Sequence, residues 1–439
     1  MDVTIKPHAI EGSIEAIASK SMAHRLLICA ALCPGPTTIR CTTSSKDIEA
    51  TISCLEALGA RIERDGDLLR VTPLPGSAAS DNIRQGTRGA LLDCGESGST
   101  LRFMLPVVCA LGCEASLTGH GRLAQRPLSP LYEELIAGGS DLSEQGAFPL
   151  KTSGTLRPGR FELPGNVSSQ YISGLLLAAP LLAGPTEVCV TEPIESRPYV
   201  NLTTSALKTF GVLVEELRDV TENGTRVTRF LVSPSTPYRS CGSVNVEGDW
   251  SNAGFWLAAG ALGRGVSVTG LDLASRQGDR SMLAALAKLG ARVERSGDTA
   301  SVSGGAPTGC EMNVADFPDL VPPLAAVAAL APGTTRLTGC GRLRLKESDR
   351  IETVCAGLAA LGASITSEGD DIVIHGRESL DGGEVDAAND HRIAMMAAIA
   401  ASRCTAPVTI HGAGCVQKSY PAFFEDYAKL GGRVTRTEA

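Results

Sequence analysis

The sequence predicts an α/β (α+β) chain of two domains, built from six copies of one βαβαββ-type unit, three in each domain. Two short signatures that recur in step along the 439 residues carry that expectation. In the first, an apolar helix end meets a Gly and then a strand-like stretch. In the second, a small residue or Pro precedes a Thr- and Val-rich strand that runs into a polar loop. The spacing, roughly 70–80 residues, is too long and too irregular for a common solenoid.

The elements follow in order. The first signature reads "ALGARIERDGDLLRVTP" at Gly59, "IAGGSDLSEQGAFPLKTSG" at Gly138 and "TFGVLVEELRD" at Gly211. It returns as "KLGARVERSGDTASVSG" at Gly290, "ALGASITSEGDDIVIHG" at Gly362 and "KLGGRVTRTEA" at Gly431. A Gly there suits the left-handed position after a helix, where a Cβ would clash. Several copies then alternate apolar and polar residues and turn at "DGD", "SGD" or "EGDD", so they read as hairpins. The second signature reads "GPTTIRCTTSSKD", "CEASLTGHGRLAQRP", "GPTEVCVTEPIESRPY", "GVSVTGLDLASRQGD", "GTTRLTGCGRLRLKESDR" and "APVTIHGAGCVQKSYP". Equivalent loops of repeated units lie on one side of their domain. These carry Lys46, Arg122, Arg126, Ser196, Arg197, Arg276, Asp279, Lys346 to Arg350, and Lys418. The helix starts that follow add free N–H groups and positive dipole ends, so the loops together suit anions.

Composition narrows the function. The chain is 43% hydrophobic and 20% charged, with material for sizeable cores. Aromatics make up 4% and the net charge is −8, which argues against stacking on bases and against nucleic-acid or anionic-membrane binding. The 14 cysteines form no C-x-x-C pair and the six histidines form no metal-spaced cluster, so neither a structural zinc site nor a disulfide framework is expected. The apolar runs "YISGLLLAAPLLAGP" and "LVPPLAAVAALAPG" are too short to span a membrane, and the N-terminus has no signal-peptide core, so a cytoplasmic chain is expected.

Five polar clusters sit at the starts of unusually apolar helices. They are Ser19, Lys20, Ser21 and Arg25 in "ASKSMAHRLLICAAL", the residues "CGESGSTLRF", Ser168, Ser169 and Gln170 in "GNVSSQYISGLL", Asp319 in "FPDL", and Asn389 to Arg392 in "NDHRIAMM". A Ser or Asp at a helix start is commonly a cap. Two hydroxyls with a Lys and an Arg also suit a bound anion, and Asp319 also suits a group that takes a proton from a bound hydroxyl. "CGESGSTLRF" lacks the spacing of a nucleotide P-loop.

Taken together, "SKSMAHR", "GESGSTLR", "GRLAQRPL", "VSSQYISGLL", "ESRPYV", "VEGDWSNAGF", "FPDL", "LKESDR", "NDHRIAM" and "QKSYP" resemble the 5-enolpyruvylshikimate-3-phosphate synthases (3-phosphoshikimate 1-carboxyvinyltransferases). The resemblance runs in order from near the N-terminus to Lys418 and beyond. It implies the two-domain enolpyruvyl transferase fold, an inside-out α/β barrel in each domain, with chain crossings near 18–20 and 238–243. The domains would be 1–18 with 242–439, and 19–241, with the active site in the cleft between them. It implies transfer of the enolpyruvyl group of phosphoenolpyruvate to shikimate 3-phosphate without metal or organic cofactor, by a monomer.

Carried residue by residue, the resemblance gives Lys20 to both substrates. Ser21, Arg25, Ser168, Ser169, Gln170, Ser196, Tyr199, Asp319 and Lys346 go to shikimate 3-phosphate. Gly98, Arg126, Gln170, Arg350, Arg392 and Lys418 go to phosphoenolpyruvate. Asp319 and Glu347 become proton-transfer carboxylates, with Lys20 and His391 also in the catalytic set. In "LKESDR", Ser348 and Asp349 become helix-start supports, and internal salt bridging is left to Asp349 alone. This chain departs from the family pattern at Ala18, His24, Glu96 and Arg342, where Gly, Asn, Asn and Asn are frequent. The related UDP-N-acetylglucosamine enolpyruvyl transferases favour Lys-Asn near the N-terminus and a loop Cys. Here Lys20 precedes Ser21 and "GHGRLAQRPL" has no Cys.

Overall fold

The computed structural model describes residues 1–75 and 89–437. The chain forms two compact units. A terminal unit comprises Met1–Ser19 and Glu247–Ala439, and an inserted unit comprises Lys20–Val246. The inserted unit holds helices α1 (Lys20–Leu32), α2 (Lys46–Ala57), α3 (Gly98–Leu111), α4 (Leu131–Ala137), α5 (Ser169–Ala178) and α6 (Arg197–Thr209). The terminal unit holds α7 (Trp250–Leu262), α8 (Met282–Lys288), α9 (Val321–Ala328), α10 (Arg350–Ala360), α11 (His391–Ala401) and α12 (Phe423–Lys429).

Odd- and even-numbered helices differ by sequence and therefore by place. The odd ones are apolar on nearly every face and are buried almost throughout, as a core helix must be. Even-numbered helices bury one stripe only; α2, for example, buries Ile48, Thr51, Ile52 and Leu55. In the terminal unit α7, α9 and α11 pack on one another, and in the inserted unit α3 packs on α5. Gly174 permits the latter approach, because a Cβ there would lie 2.2 Å from the Arg102 carbonyl oxygen.

Among the described residues six four-stranded sheets share one strand order. In the first repeat Ser243–Asn245 runs parallel to Thr37–Arg40. Thr37–Arg40 pairs antiparallel with Leu68–Thr72, which pairs antiparallel with Arg61–Asp65. Each unit is closed by strands distant in sequence. Asp2–Lys6 completes the sheet that contains Val408–His411 and Arg433–Thr437, and Glu11–Glu15 runs parallel to Gly265–Thr269. The division between units falls between Val246 and Glu247, some residues after the expected 238–243. Ser243–Asn245 is still a strand of the inserted unit, and Val246 N–H still bonds the Arg40 carbonyl at 2.9 Å. Next to that division Ser19 N–H bonds the Glu247 carbonyl and Asp249 N–H bonds the Ile17 carbonyl, each at 2.8 Å.

Gly59, Gly211, Gly290, Gly362 and Gly431 take φ between 80° and 101°, as the repeat predicts. Gly138 does not. It closes α4 with φ −70°, its N–H on the Glu134 carbonyl, and Gly139 (φ 107°) is the left-handed residue. Among the described residues no helix is long and apolar enough to cross a membrane.

Candidate active site

In the terminal unit the starts of α9, α10 and α11 converge on one carboxylate. Asp319 occupies the turn Pro318–Leu320 ahead of α9. Its Oδ1 accepts from Arg350 Nη1 at 2.7 Å and from Lys346 Nζ at 3.1 Å, and its Oδ2 lies 3.3 Å from Arg392 Nη2. Arg392 also donates to the Asp319 carbonyl at 3.2 Å and to Ser251 Oγ on α7 at 2.6 Å. Helix α9 has no side-chain cap bond, so Asp319 is spent on cations and not on capping. Burial alone would raise the Asp319 carboxyl, but Arg392, Lys346 and Arg350 together hold it well below the usual carboxylate range. Burial lowers the Lys346 ammonium, against the pull of Asp319.

Arg350 opens α10 and is 1% exposed. Its Nε donates to Asp390 Oδ2 at 2.7 Å, and its Nη2 to Glu347 Oε2 at 2.7 Å and to Asp390 Oδ1 at 3.2 Å. Asp390 is fully buried, caps α11 by accepting from Arg392 N–H at 3.0 Å, and accepts from Ser348 Oγ at 3.0 Å. Ala388 and Asn389, just before it, both take φ near 50°, which costs a non-Gly residue about 1–3 kcal/mol. Lys418 Nζ donates to the Asn389 carbonyl at 2.6 Å. His391 is buried with Nδ1 3.8 Å from Asp390 Oδ1. The cluster thus joins Lys346, Arg350, Arg392 and Lys418 with Asp319, Glu347 and Asp390. Such a set can hold an anion and move a proton.

In the inserted unit the starts of α1, α3 and α5 carry the remaining residues. Lys20 Nζ pairs with Asp47 Oδ2 at 2.7 Å. Arg25 is buried; it donates to Thr203 Oγ1 at 2.7 Å, to the Tyr199 carbonyl at 3.0 Å and to the Ser21 carbonyl at 2.5 Å, and stacks 4.8 Å from the Phe103 ring centroid. Burial lowers its pKa to about 10. Gly98 opens α3 behind the N-cap Ser97, and a Cβ on it would lie 2.5 Å from Arg126 Nη1. The Arg126 guanidinium therefore rests against the one residue whose lack of a side chain admits it. Ser168 caps α5. Gln170 spans to α3, with Nε2 donating to Ser99 Oγ at 2.9 Å and Oε1 accepting from Arg102 Nη1 at 2.7 Å. Ser169 is buried beside it, and Ser196, buried ahead of α6, takes φ 54°.

The profile of the EPSP synthase (3-phosphoshikimate 1-carboxyvinyltransferase) family matches residues 5–427. The chain belongs to the EPSP synthase family. Two curated relatives named 3-phosphoshikimate 1-carboxyvinyltransferase are each 39% identical. One, from Clostridium kluyveri, aligns over 435 residues; the other, from Clostridium perfringens, aligns over 432; each alignment covers 98% of both chains. Among solved structures, an EPSP synthase from Acinetobacter baumannii superposes with a TM-score of 0.77 at 26% identity, covering 99% of this chain and 100% of that one.

Within this EPSP synthase fold, "LKESDR" departs from the sequence expectation. Asp349 does pair, with Arg344 at 3.0 Å, while its Oδ1 caps α10. Salt bridging is not confined to it, because Glu347 and Arg350 pair three residues apart and Arg350 has two further carboxylate partners. A buried guanidinium needs that much compensation. Sequence reasoning named Asp390 only as one member of a cluster and gave no role to Asp47, Arg102 or Thr203; each of the four holds a proposed ligand-binding residue. Arg102 also donates to the Pro127 carbonyl at 3.0 Å, next to Arg126. Helix-start polarity could have signalled Asp47 and Asp390, whereas Arg102 and Thr203 lie inside α3 and α6. Glu96 folds over Gly121, where a Cβ would come 2.8 Å from the Glu96 carboxyl carbon, and its Oε1 lies 3.9 Å from His120 Nε2.

Proposed function

We propose that the chain transfers the enolpyruvyl group of phosphoenolpyruvate to the 5-hydroxyl of shikimate 3-phosphate, releasing phosphate, and that the two clusters act on this one pair of substrates. The observation that carries the proposal is Asp319, a half-buried carboxylate bonded to Lys346, Arg350 and Arg392. Both substrates carry a carboxylate and a phosphate, and planar guanidinium groups grip either in bidentate fashion.

The roles follow from chemistry and the family likeness. Arg126, Arg350, Arg392 and Lys418 hold phosphoenolpyruvate with the backbone at Gly98. Ser21, Arg25, Ser168, Ser169, Gln170, Ser196 and Tyr199 hold shikimate 3-phosphate, and Lys20 and Gln170 serve both. A carboxyl group protonates the methylene carbon while the hydroxyl oxygen adds to the neighbouring carbon and gives up its proton. The tetrahedral adduct then expels phosphate and loses a methyl proton. Asp319 and Glu347 carry these protons, with His391 buried beside Asp390. Lys346, Arg350 and Arg392 rest on Asp319. A bound anion competes for them, and that raises the proton affinity of Asp319 when a base is needed. The working form is a cytoplasmic monomer that meets two diffusible substrates.

Phosphate release from phosphoenolpyruvate, measured with a panel of acceptors, tests the proposal. Release with shikimate 3-phosphate alone is expected. Release with UDP-N-acetylglucosamine instead, or with neither acceptor, would overturn it.

A further inference from the structure

One histidine in the inserted unit has no part in the scheme above. His24, on α1 one turn after Lys20, is wholly buried, and its Nε2 has no hydrogen-bond partner among the described residues. Its Nδ1 lies 2.7 Å from Thr51 Oγ1 on α2. Thr51 Oγ1 lies 2.7 Å from Thr100 Oγ1 on α3. Thr100 Oγ1 donates to Ser97 Oγ at 2.8 Å, and Ser97 Oγ also accepts from Thr100 N–H at 3.2 Å. All four side chains are buried. Four polar groups from three helices thus form one line that ends on the residue before Gly98.

Proton counting gives the line a direction. A hydroxyl has one proton to donate. The Thr100 proton goes to Ser97; its other acceptor, the Asp47 carbonyl, lies farther off at 3.5 Å. With either acceptor, Thr100 receives from Thr51. The Thr51 proton is then used, so Thr51 must receive from His24. His24 therefore carries its proton on Nδ1, and Nε2 keeps a bare lone pair. Ser97 accepts twice inside the line, and its own proton is the one left over. Burial, with Lys20 and Arg25 nearby, holds the imidazole well below its ordinary pKa and so neutral.

We propose that His24 is a positioning residue for phosphoenolpyruvate. Its Nδ1–H orients the hydroxyls of Thr51 and Thr100 one way and so fixes Ser97 and the first turn of α3 that presents Gly98. The inference rests on the reading that phosphoenolpyruvate meets Gly98 and Arg126. An apolar residue at 24 leaves the line without its leading donor. An Asn restores an N–H donor there.

The test has a spectroscopic and a kinetic arm. In the intact protein, 15N NMR of labelled histidine is expected to show His24 as the Nδ1–H tautomer between pH 6 and pH 8; an Nε2–H tautomer or a protonated ring overturns the proposal. Thr51→Val and His24→Leu are each expected to raise the KM for phosphoenolpyruvate about 3–10-fold, the range of one lost neutral hydrogen bond, with shikimate 3-phosphate affinity unchanged. The double variant is expected to be no worse than the worse single one, because both break one line, and His24→Asn is expected to stay within about twofold of the parent. Additive losses, or equal losses for both substrates, overturn the proposal. Arg126→Ala is the control. If it leaves phosphoenolpyruvate binding unchanged, the reading of the Gly98 site has failed; if it weakens binding while Thr51→Val does not, only the role of His24 has.

Discussion

Replacing Asp319 by Asn separates the chemistry of the site from its architecture. The side chain keeps its shape, and its amide oxygen can still accept from Arg350 and Lys346, now 2.7 and 3.1 Å from the carboxylate. What disappears is the negative charge and the ability to take a proton. A positioned acid or base typically contributes about 10²–10⁴ in rate, or about 3–5 kcal/mol in the barrier at 1.36 kcal/mol per tenfold. Turnover is therefore expected to fall at least 100-fold. Binding is expected to move the other way. Arg350, Arg392 and Lys346 lose a competing anion, so phosphoenolpyruvate should bind as well as before or more tightly, and shikimate 3-phosphate should be little affected. Steady-state phosphate release gives the first quantity and calorimetric titration the second. Turnover within about threefold of the parent would refute the base role. Loss of turnover together with loss of phosphoenolpyruvate affinity would refute the competition between Asp319 and the ligand.

Three further outcomes follow from the geometry. Arg126→Ala is expected to weaken phosphoenolpyruvate about 10–100-fold, the range of a charge-assisted contact, while shikimate 3-phosphate affinity holds; equal losses by titration would count against the assignment. Asp390→Ala strips a buried carboxylate from Arg350, Ser348 and the α11 cap, so urea unfolding should register a loss of about 3–5 kcal/mol; a loss below about 1 kcal/mol would mean that Glu347 and Asp319 suffice for Arg350. His411 donates to Asp2 and Glu384, contacts that raise its pKa above 6.5. A raised folded value means that any stability it contributes is present below about pH 6.5 and is lost as pH rises through the folded value. NMR titration should place its midpoint above 6.5, and Asp2→Asn should lower it; an unmoved midpoint would contradict the pairing.

Much of the fold was legible because its signals are local. The left-handed Gly after an even-numbered helix and the Gly of a hairpin turn are each demanded by backbone sterics within a few residues. The doublet at Gly138 and Gly139 defeated that rule by one residue, since either can end the helix and only the Glu134 hydrogen bond decides. The strand Ser243–Asn245 was out of reach, because its partner Thr37–Arg40 lies some 200 residues earlier in the chain and a three-residue strand has little pattern of its own. The helix-start clusters were found as groups, yet their wiring was not. Asp390 looks like one polar residue among four in "NDHR", and only its place beneath Arg350 makes it the guanidinium's buried partner. Asp47 and Thr51 sit on one stripe of α2, where helical periodicity points them inward but cannot say which of α1 or α3 they meet.

31P NMR of a complete reaction tests the central claim most directly. With phosphoenolpyruvate and shikimate 3-phosphate present, one inorganic phosphate should form for each phosphoenolpyruvate consumed, while the shikimate phosphate resonance stays that of an ester. Run in D2O, the same reaction should leave deuterium in the new vinyl methylene, since the adduct gains and loses a proton at that carbon. Phosphoenolpyruvate phosphorus appearing on a second molecule, or loss of the shikimate phosphate ester, would contradict enolpyruvyl transfer.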